Sequence, residues 1–341
     1  MVPFRSRRLP LPALLLLLLL LLGGGAVAEP APEAAGAFVD RMVAEHGFER
    51  AALQALLADA QRQDRILETI ARPAERRLSW GDYRRIFLGE DRVAQGVAFW
   101  DAHAELLARA EARYGVDAEI VVGILGVETR YGRLRGSRRV LDALSTLAFS
   151  YPPRSGFFTG ELEAFLLLMR EEGLDPREPL GSYAGAMGWG QFIPSSWRAY
   201  GVDFDDDGRR DLSGNLEDAV GSVAHYLARH GWRRGGTVAV VVDAPAVPEA
   251  VPVAEGLEVR RTVGELRRLG VAAPDALPED AAATFLALEG EGGTEYHVGL
   301  HNLYVLTRYN RSHLYALAVR DLGRAVAAAR ERAVAATAEA R

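Results

Sequence analysis

The apolar and polar positions predict helix for most of the chain, with one interruption. An unbroken apolar run, Leu14 to Leu22, follows the basic residues Arg5, Arg7 and Arg8 and precedes Ala26-Val27-Ala28. That order reads as an export signal cut before Glu29, with an uncleaved anchor as the alternative; the run falls short of the roughly 20 residues a membrane span needs. Residues 29–36, rich in Ala, Pro and Glu, read as a linker. Phe38, Met42 and Val43, then Leu53, Leu56 and Leu57, fall at helical spacing. Val93, Val97, Phe99, Leu106, Leu107 and Ala110 predict one longer helix over 91–114. Asp117 is the expected N-cap of the next, from Ala118 to about Thr129. Further helices are expected from Gly160 to Glu172, stopped near Gly173, and from Asp218 to His230.

The period changes after Gly235-Gly236. Thr237 to Val242 is a β-rich run, and a loop with Pro245, Pro248 and Pro252 follows. Residues 284–288 and 295–300 also read as strands. The expected fold is therefore α+β and predominantly α. A helical region (37–105) leads into a central block (106–232), then a small α+β insertion (233–300). Helix returns at Asn302 to Leu322, within a segment 301–325. The last twenty residues alternate Ala and Arg with few large apolar groups, so 326–341 reads as a solvated tail, a frayed or solvated helix. No internal repeat is present.

With 341 residues there is ample material for a core. Cysteine is absent, which excludes thiol nucleophiles, disulfides, cysteine zinc sites and a lipid anchor on a terminal cysteine. All 40 basic residues are arginine, so Schiff-base lysines and lysine phosphate loops are excluded too. The formal charge is −6; removing residues 1–28, with three arginines and no acid, leaves −9. An acidic chain without a basic stripe is a poor nucleic-acid candidate, so no nucleic-acid partner is expected, and it would hold an anionic polymer by local contacts.

Two segments carry chemistry. In Ala-Glu-Ile-Val-Val-Gly-Ile-Leu-Gly-Val-Glu-Thr-Arg-Tyr-Gly (118–132), Glu128 shares a helix face with Leu125, Ile124, Val121 and Ile120. A carboxylate ending an apolar stripe is partly desolvated, which raises its pKa and suits a general acid. An ion pair of Glu128 with Arg130 or another arginine is the alternative. The second segment, Gly-Ser-Tyr-Ala-Gly-Ala-Met-Gly-Trp-Gly-Gln-Phe-Ile-Pro-Ser-Ser-Trp (181–197), holds four glycines, four aromatics and no charge. Glycine admits close backbone approach and aromatic rings face sugars, so this is a candidate carbohydrate wall. Ser182 and Gln191 supply neutral groups for orienting a ligand.

With Glu-Leu-Glu-Ala-Phe-Leu (161–166), Gly-Ser-Val-Ala-His-Tyr (221–226) and Leu-Thr-Arg-Tyr-Asn (306–310), these segments resemble the B-type lytic murein transglycosylases over roughly residues 35–325. The resemblance implies a lysozyme-like core at 106–232. It also implies cleavage between N-acetylmuramic acid and N-acetylglucosamine, leaving 1,6-anhydromuramoyl ends. By position Glu128 takes the catalytic acid/base role. Ser182, Gln191, Phe192, Tyr226, Tyr309 and Asn310 take cleft positions; Tyr83 matches by spacing, and Phe157 stands where a tyrosine is expected. Glycosidases generally use two carboxylates, but only one is well placed here, so the sugar's 2-acetamido group would replace the second. A hydrolytic muramidase would instead recruit Glu161, Glu163 or an Asp elsewhere in the chain. A non-catalytic peptidoglycan-binding protein would keep the wall and not need the acid. The expected partner is the peptidoglycan strand, with cell-wall synthesis or remodelling proteins in addition; the expected state is a periplasmic monomer. A scaffolding role for residues 233–300 would be compatible with catalysis.

Asp203, Asp205 and Asp207, with Gly208 at the sixth position, follow the start of an EF-hand. Arg209 would offer its carbonyl and Asp211 stands at the ninth position; the twelfth is Gly214, so Asp218 would supply the missing carboxylate. A structural calcium ion is expected in the loop 203–218, and no cofactor for catalysis. The seven histidines show no zinc spacing and read as surface or hydrogen-bonded groups.

Overall fold

In a computed structural model the chain is described over residues 32–71, 78–242 and 251–339. The leader 1–28, Pro245 and Pro248 lie outside them. The N-terminal region comprises α1 (Pro32–His46), α2 (Arg50–Asp59), α3 (Asp64–Ile70) and α4 (Trp80–Phe87). Helix thus starts inside the expected linker, at Pro32. The predicted helix over 91–114 is two, α5 (Glu90–Ala102) and α6 (Ala104–Tyr114), because His103 leaves the helical region at φ −128° and ψ 26°. The apolar period runs straight across that break, which is why the pattern hides it.

Next comes α7 (Ala118–Thr129), where the spacing placed it. Asp117 opens it by backbone alone: its carboxylate accepts from Trp232 Nε1 at 3.2 Å, and Glu111 Oε2 takes the Ala118 amide. Then follow β1 (Arg138–Arg139), α8 (Val140–Ser150), α9 (Ser155–Glu172), β2 (Leu180–Gly181), α10 (Pro194–Tyr200) and α11 (Leu216–Arg229). Gly173, at φ +67°, stops α9 with a left-handed cap.

The insertion holds β3 (Ala239–Val242), β4 (Arg261–Thr262), α12 (Val263–Arg268), β5 (Ala282–Gly290) and β6 (Gly293–Leu300). The strands form one antiparallel sheet in the order β3-β6-β5-β4. Phe285, Val298, Val263 and Leu266 make its own small core. The opposite face meets the body: Trp80 Nε1 donates to Glu295 Oε2 at 3.0 Å, and Arg320 donates to the Ala239 carbonyl at 3.1 Å.

The returning helix is also two, α13 (His301–Tyr309) and α14 (His313–Glu339), parted at Asn310–Ser312. The Ser312 hydroxyl accepts the Tyr315 amide at 3.2 Å and restarts the helix. The expected tail is thus largely the end of α14, with Val326 buried and residues 331–336 exposed. α14 lies directly against α7. A Cβ on Gly123 would stand 2.3 Å from the Val319 carbonyl, and one on Gly323 2.3 Å from the Glu119 carbonyl. These two glycines let the backbones touch, and the closeness buries α7 on nearly all sides.

Candidate active site

Glu128 sits half-buried one residue before the end of α7. The chain then turns sharply: Arg130, Tyr131 and Gly132 all adopt positive φ, at 51°, 57° and 80°. Two non-glycine residues in the left-handed region are costly, and the fully buried Thr129 holds them. Its hydroxyl lies 2.9 Å from the Trp189 carbonyl and 3.2 Å from that of Leu125, and accepts the Gly132 amide at 2.9 Å. Gly132 has no alternative, since a Cβ there would fall 2.1 Å from the Trp189 ring. The carboxylate is thus tied by its neighbour to the glycine-rich wall.

From the other side Tyr315, on α14, donates to Glu128 Oε1 at 2.7 Å. Tyr315 stacks on Tyr309 with ring planes 7° apart and centroids 6.4 Å apart. Burial, with the Glu128 charge adding to it, raises the pKa of both phenols well above the usual tyrosine value, so both remain donors. Tyr309 in turn donates to the Gly190 carbonyl at 2.6 Å. Tyr83 is fully buried close enough for its phenol to act electrostatically on Tyr315.

Tyr309 also lines a pocket of about 210 Å³ walled by Phe157, Gln191, Phe192, Tyr226 and Asn310, with Arg154, Arg308 and Arg311 at its rim. Phe192 meets Tyr226 and Tyr309 edge-on, at 5.9 and 5.7 Å. Gln191, at φ 50°, donates through Nε2 to the carbonyls of Gly188 and Arg135, at 2.8 and 3.1 Å. Its Oε1 is buried without a hydrogen-bond partner, and so is suited to receive a ligand N–H or O–H. Ser182 does not line this pocket. Its hydroxyl accepts the amides of Ala184 and Ala186 and shapes the loop behind it.

The two glutamates that a hydrolytic site would recruit are engaged elsewhere. Glu161 is buried, takes both the amide and the hydroxyl of Ser195, at 3.0 and 2.6 Å, and so anchors the start of α10. Burial raises its pKa, opposed by Ser195 and Arg154. Glu163 pairs with Arg41 at 2.7 Å and His46 at 3.0 Å.

In the acidic loop, Asp203, Asp205 and Asp218 bring carboxylate oxygens within 4.8 Å of one another. Asp218 is fully buried and its pKa is raised, by burial first and by the neighbouring Asp205 and Asp203 charges as well. It also accepts the amides of Phe204 and Asp211, both at 2.7 Å. Gly208 makes the sharp turn at φ +89°. A buried acid crowded by two others fits a hard cation with oxygen ligands. Asp207 and Asp211 lie outside this trio: each accepts backbone amides, of Arg209 for the former and of Ser213 and Gly214 for the latter.

The transglycosylase SLT domain family matches residues 31–324. The chain belongs to this family. It is 44% identical over 304 residues to membrane-bound lytic murein transglycosylase B of Escherichia coli, covering 86% of this chain and 82% of that protein. Among solved structures, catenated lytic transglycosylase SltB1 of Pseudomonas aeruginosa superposes with a TM-score of 0.83 at 50% identity, over 88% of this chain and 98% of the other. Lytic transglycosylase Slt35 of E. coli, solved with calcium, gives 0.79 at 45% identity, over 87% and 93%. SltB3 of P. aeruginosa, in complex with NAG-anhNAM-pentapeptide, gives 0.72 at 32%, over 85% and 78%.

In this SLT transglycosylase, sequence reasoning missed Tyr315, Thr129 and the three arginines of the pocket rim. Arg308 stood inside a quoted motif and Thr129 beside Glu128, so both were within reach. Tyr315 carried no local signal. One histidine also departs from expectation: His297 is buried with neither ring nitrogen hydrogen-bonded.

Proposed function

We propose that the chain is an exported lytic transglycosylase that cuts the β-1,4 bond between N-acetylmuramic acid and N-acetylglucosamine in peptidoglycan, with Glu128 as its only acid/base. The observation that carries this reading is Glu128 held between Tyr315 and the Thr129 tether, with Tyr315 stacked on Tyr309 of the aromatic pocket, while Glu161 and Glu163 are committed elsewhere. Glu128 protonates the glycosidic oxygen as its bond to the muramic C1 breaks. The 2-acetamido group supports the electron-poor C1. The resulting carboxylate takes the proton of the same sugar's 6-hydroxyl, and O6 closes on C1. No water is consumed; the tethered hydroxyl wins by proximity. Gln191, Asn310 and the aromatic rings hold the sugars, and the three arginines face the anionic groups of the strand. Mass spectrometry of sacculus digests tests this: anhydro ends lack one water relative to hydrolysed ends, and products carrying that water would favour a muramidase.

Calcium at Asp203, Asp205 and Asp218 belongs to the same proposal, as a structural ion bracing the loop behind Trp197. So does export through residues 1–28 without a lipid anchor. Among the described residues no helix is long and apolar enough to cross a membrane. N-terminal sequencing of the periplasmic fraction should begin at Glu29; an intact leader in the membrane fraction would overturn export.

A further inference from the structure

Arg311 lines a second opening as well as the pocket at Tyr309. This opening, about 500 Å³, lies between the start of α4, the segment 311–314 and the outer edge of β5. Its walls include Ser79, Leu257, Leu288, Glu289 and His313.

Among the described residues the β5 edge is only partly used. β4 pairs with Ala282 and Ala283, and the Ala254 amide donates to the Phe285 carbonyl at 2.9 Å. Beyond Phe285 no described strand pairs on this side. A strand repeats every two residues, so the N–H and C=O groups of Ala287 and Glu289 face the same edge as the Phe285 carbonyl. They border the opening. An edge of this kind accepts an extended peptide as an added strand. Sugar is the poorer fit, since the one aromatic ring in the wall, Trp80, is buried edge-on against His297.

We propose that this edge seats the peptide stem borne by the muramic acid of the substrate. The peptide lies along Ala287–Glu289; Arg311, where the two cavities meet, receives a carboxylate, and the exposed Glu289 an amino group. His313 Nε2, buried in the same wall without a partner, supplies a polar contact midway. The insertion thereby becomes a reader of peptide-bearing strands. The proposal rests on the transglycosylase reading, and its test keeps the two apart.

The full chain carrying Glu128→Gln is titrated with the disaccharide pentapeptide and, separately, with the peptide-free disaccharide, while amide hydrogen exchange is followed. The amides of Ala287 and Glu289 should slow about tenfold or more with the pentapeptide only. Both ligands should protect the Gln191 and Phe192 amides. Glu289→Arg should weaken the pentapeptide about fivefold relative to the peptide-free ligand, the scale of one exposed ion pair. Protection at Gln191 without protection at Ala287 would overturn the peptide seat alone. Protection at neither would overturn the cleft reading with it.

Discussion

Tyr315 and Glu128 are 187 residues apart in the chain and joined by a 2.7 Å hydrogen bond, phenol to carboxylate. The bond crosses between α14 and α7, the two helices whose glycines bring their backbones into contact. It therefore depends on packing as much as on chemistry. Tyr315→Phe keeps the ring and its stacking on Tyr309 while removing the donor. A hydrogen bond to a charged group is worth about 1.5–3 kcal/mol, so cleavage of sacculi should fall roughly 10- to 100-fold, with circular dichroism unchanged. Wild-type activity in the variant would mean that the phenol does not orient the carboxylate.

Glu128→Gln preserves shape and the oxygen that Tyr315 contacts, but neither gives nor takes the proton. Activity should drop by several orders of magnitude while saccharide binding persists. Retention of more than about a tenth of the rate, only ~1.4 kcal/mol of barrier, would end the assignment.

Thr129 gives a sharper test of positioning. Its hydroxyl serves the Trp189 carbonyl of the glycine-rich wall and the Gly132 amide of the turn that aims Glu128. Thr129→Val leaves those groups unsatisfied, at about 1–3 kcal/mol each, and the turn should relax. Turnover should fall by more than the loss of folding stability accounts for, with KM little changed. Thr129→Ser should restore most of it. Retained turnover in the valine variant with a loss in the serine variant would point to packing of the methyl group instead.

What was legible follows the range of each interaction. Helix α7 and Glu128 at its end were readable because a 3.6-residue period is local. The wall at 181–197 was readable by composition. Tyr315 was not, because nothing near it announces a partner on a helix 187 residues away. The breaks at His103 and Asn310 were hidden by apolar spacing that continues across them. α12 was overlooked although Thr262-Val-Gly-Glu265 spells a capping box, and the structure forms both of its hydrogen bonds. In the acidic loop, spacing proposed carboxylates at 203, 205, 207, 211 and 218. The fold closes three of them on one point, because Asp218 enters from α11 with its side chain fully buried.

That closure predicts a calcium effect. A cation bound only by the folded chain adds RT ln(1 + [L]/Kd), about 2.7 kcal/mol at a hundredfold excess over Kd. Calcium added after chelation should raise the melting temperature. Magnesium, which demands tighter octahedral geometry, should do so poorly. Asp203→Ala with Asp205→Ala should abolish the shift. A melting temperature indifferent to calcium and chelator would leave only an acidic turn.

His297 predicts how stability depends on pH. It lies on β6, fully buried where α4 and α14 meet the sheet, with Trp80 edge-on at 6.3 Å. Burial, with the Arg320 charge adding to it, lowers its pKa to about 4, while Glu295 and Asp321 pull the other way and Arg84 adds a smaller lowering. The unfolded chain binds this proton from near pH 6.5, the folded chain only near 4. Between those values the unfolded state holds more protons, so stability falls as pH falls. The stabilisation is present above pH 6.5 and lost progressively on acidification towards 4. At pH 5 this one group should cost about 2 kcal/mol, from 1.36 kcal/mol per pKa unit. His297→Gln cannot titrate and should flatten that part of the profile, whatever its stability at neutral pH. Urea unfolding at pH 7.5 and pH 5 measures both slopes. Parallel losses in variant and wild type would move the acid sensitivity to another group, with the raised carboxylate Glu161 excluded by sign, since a raised acid stabilises the fold on acidification.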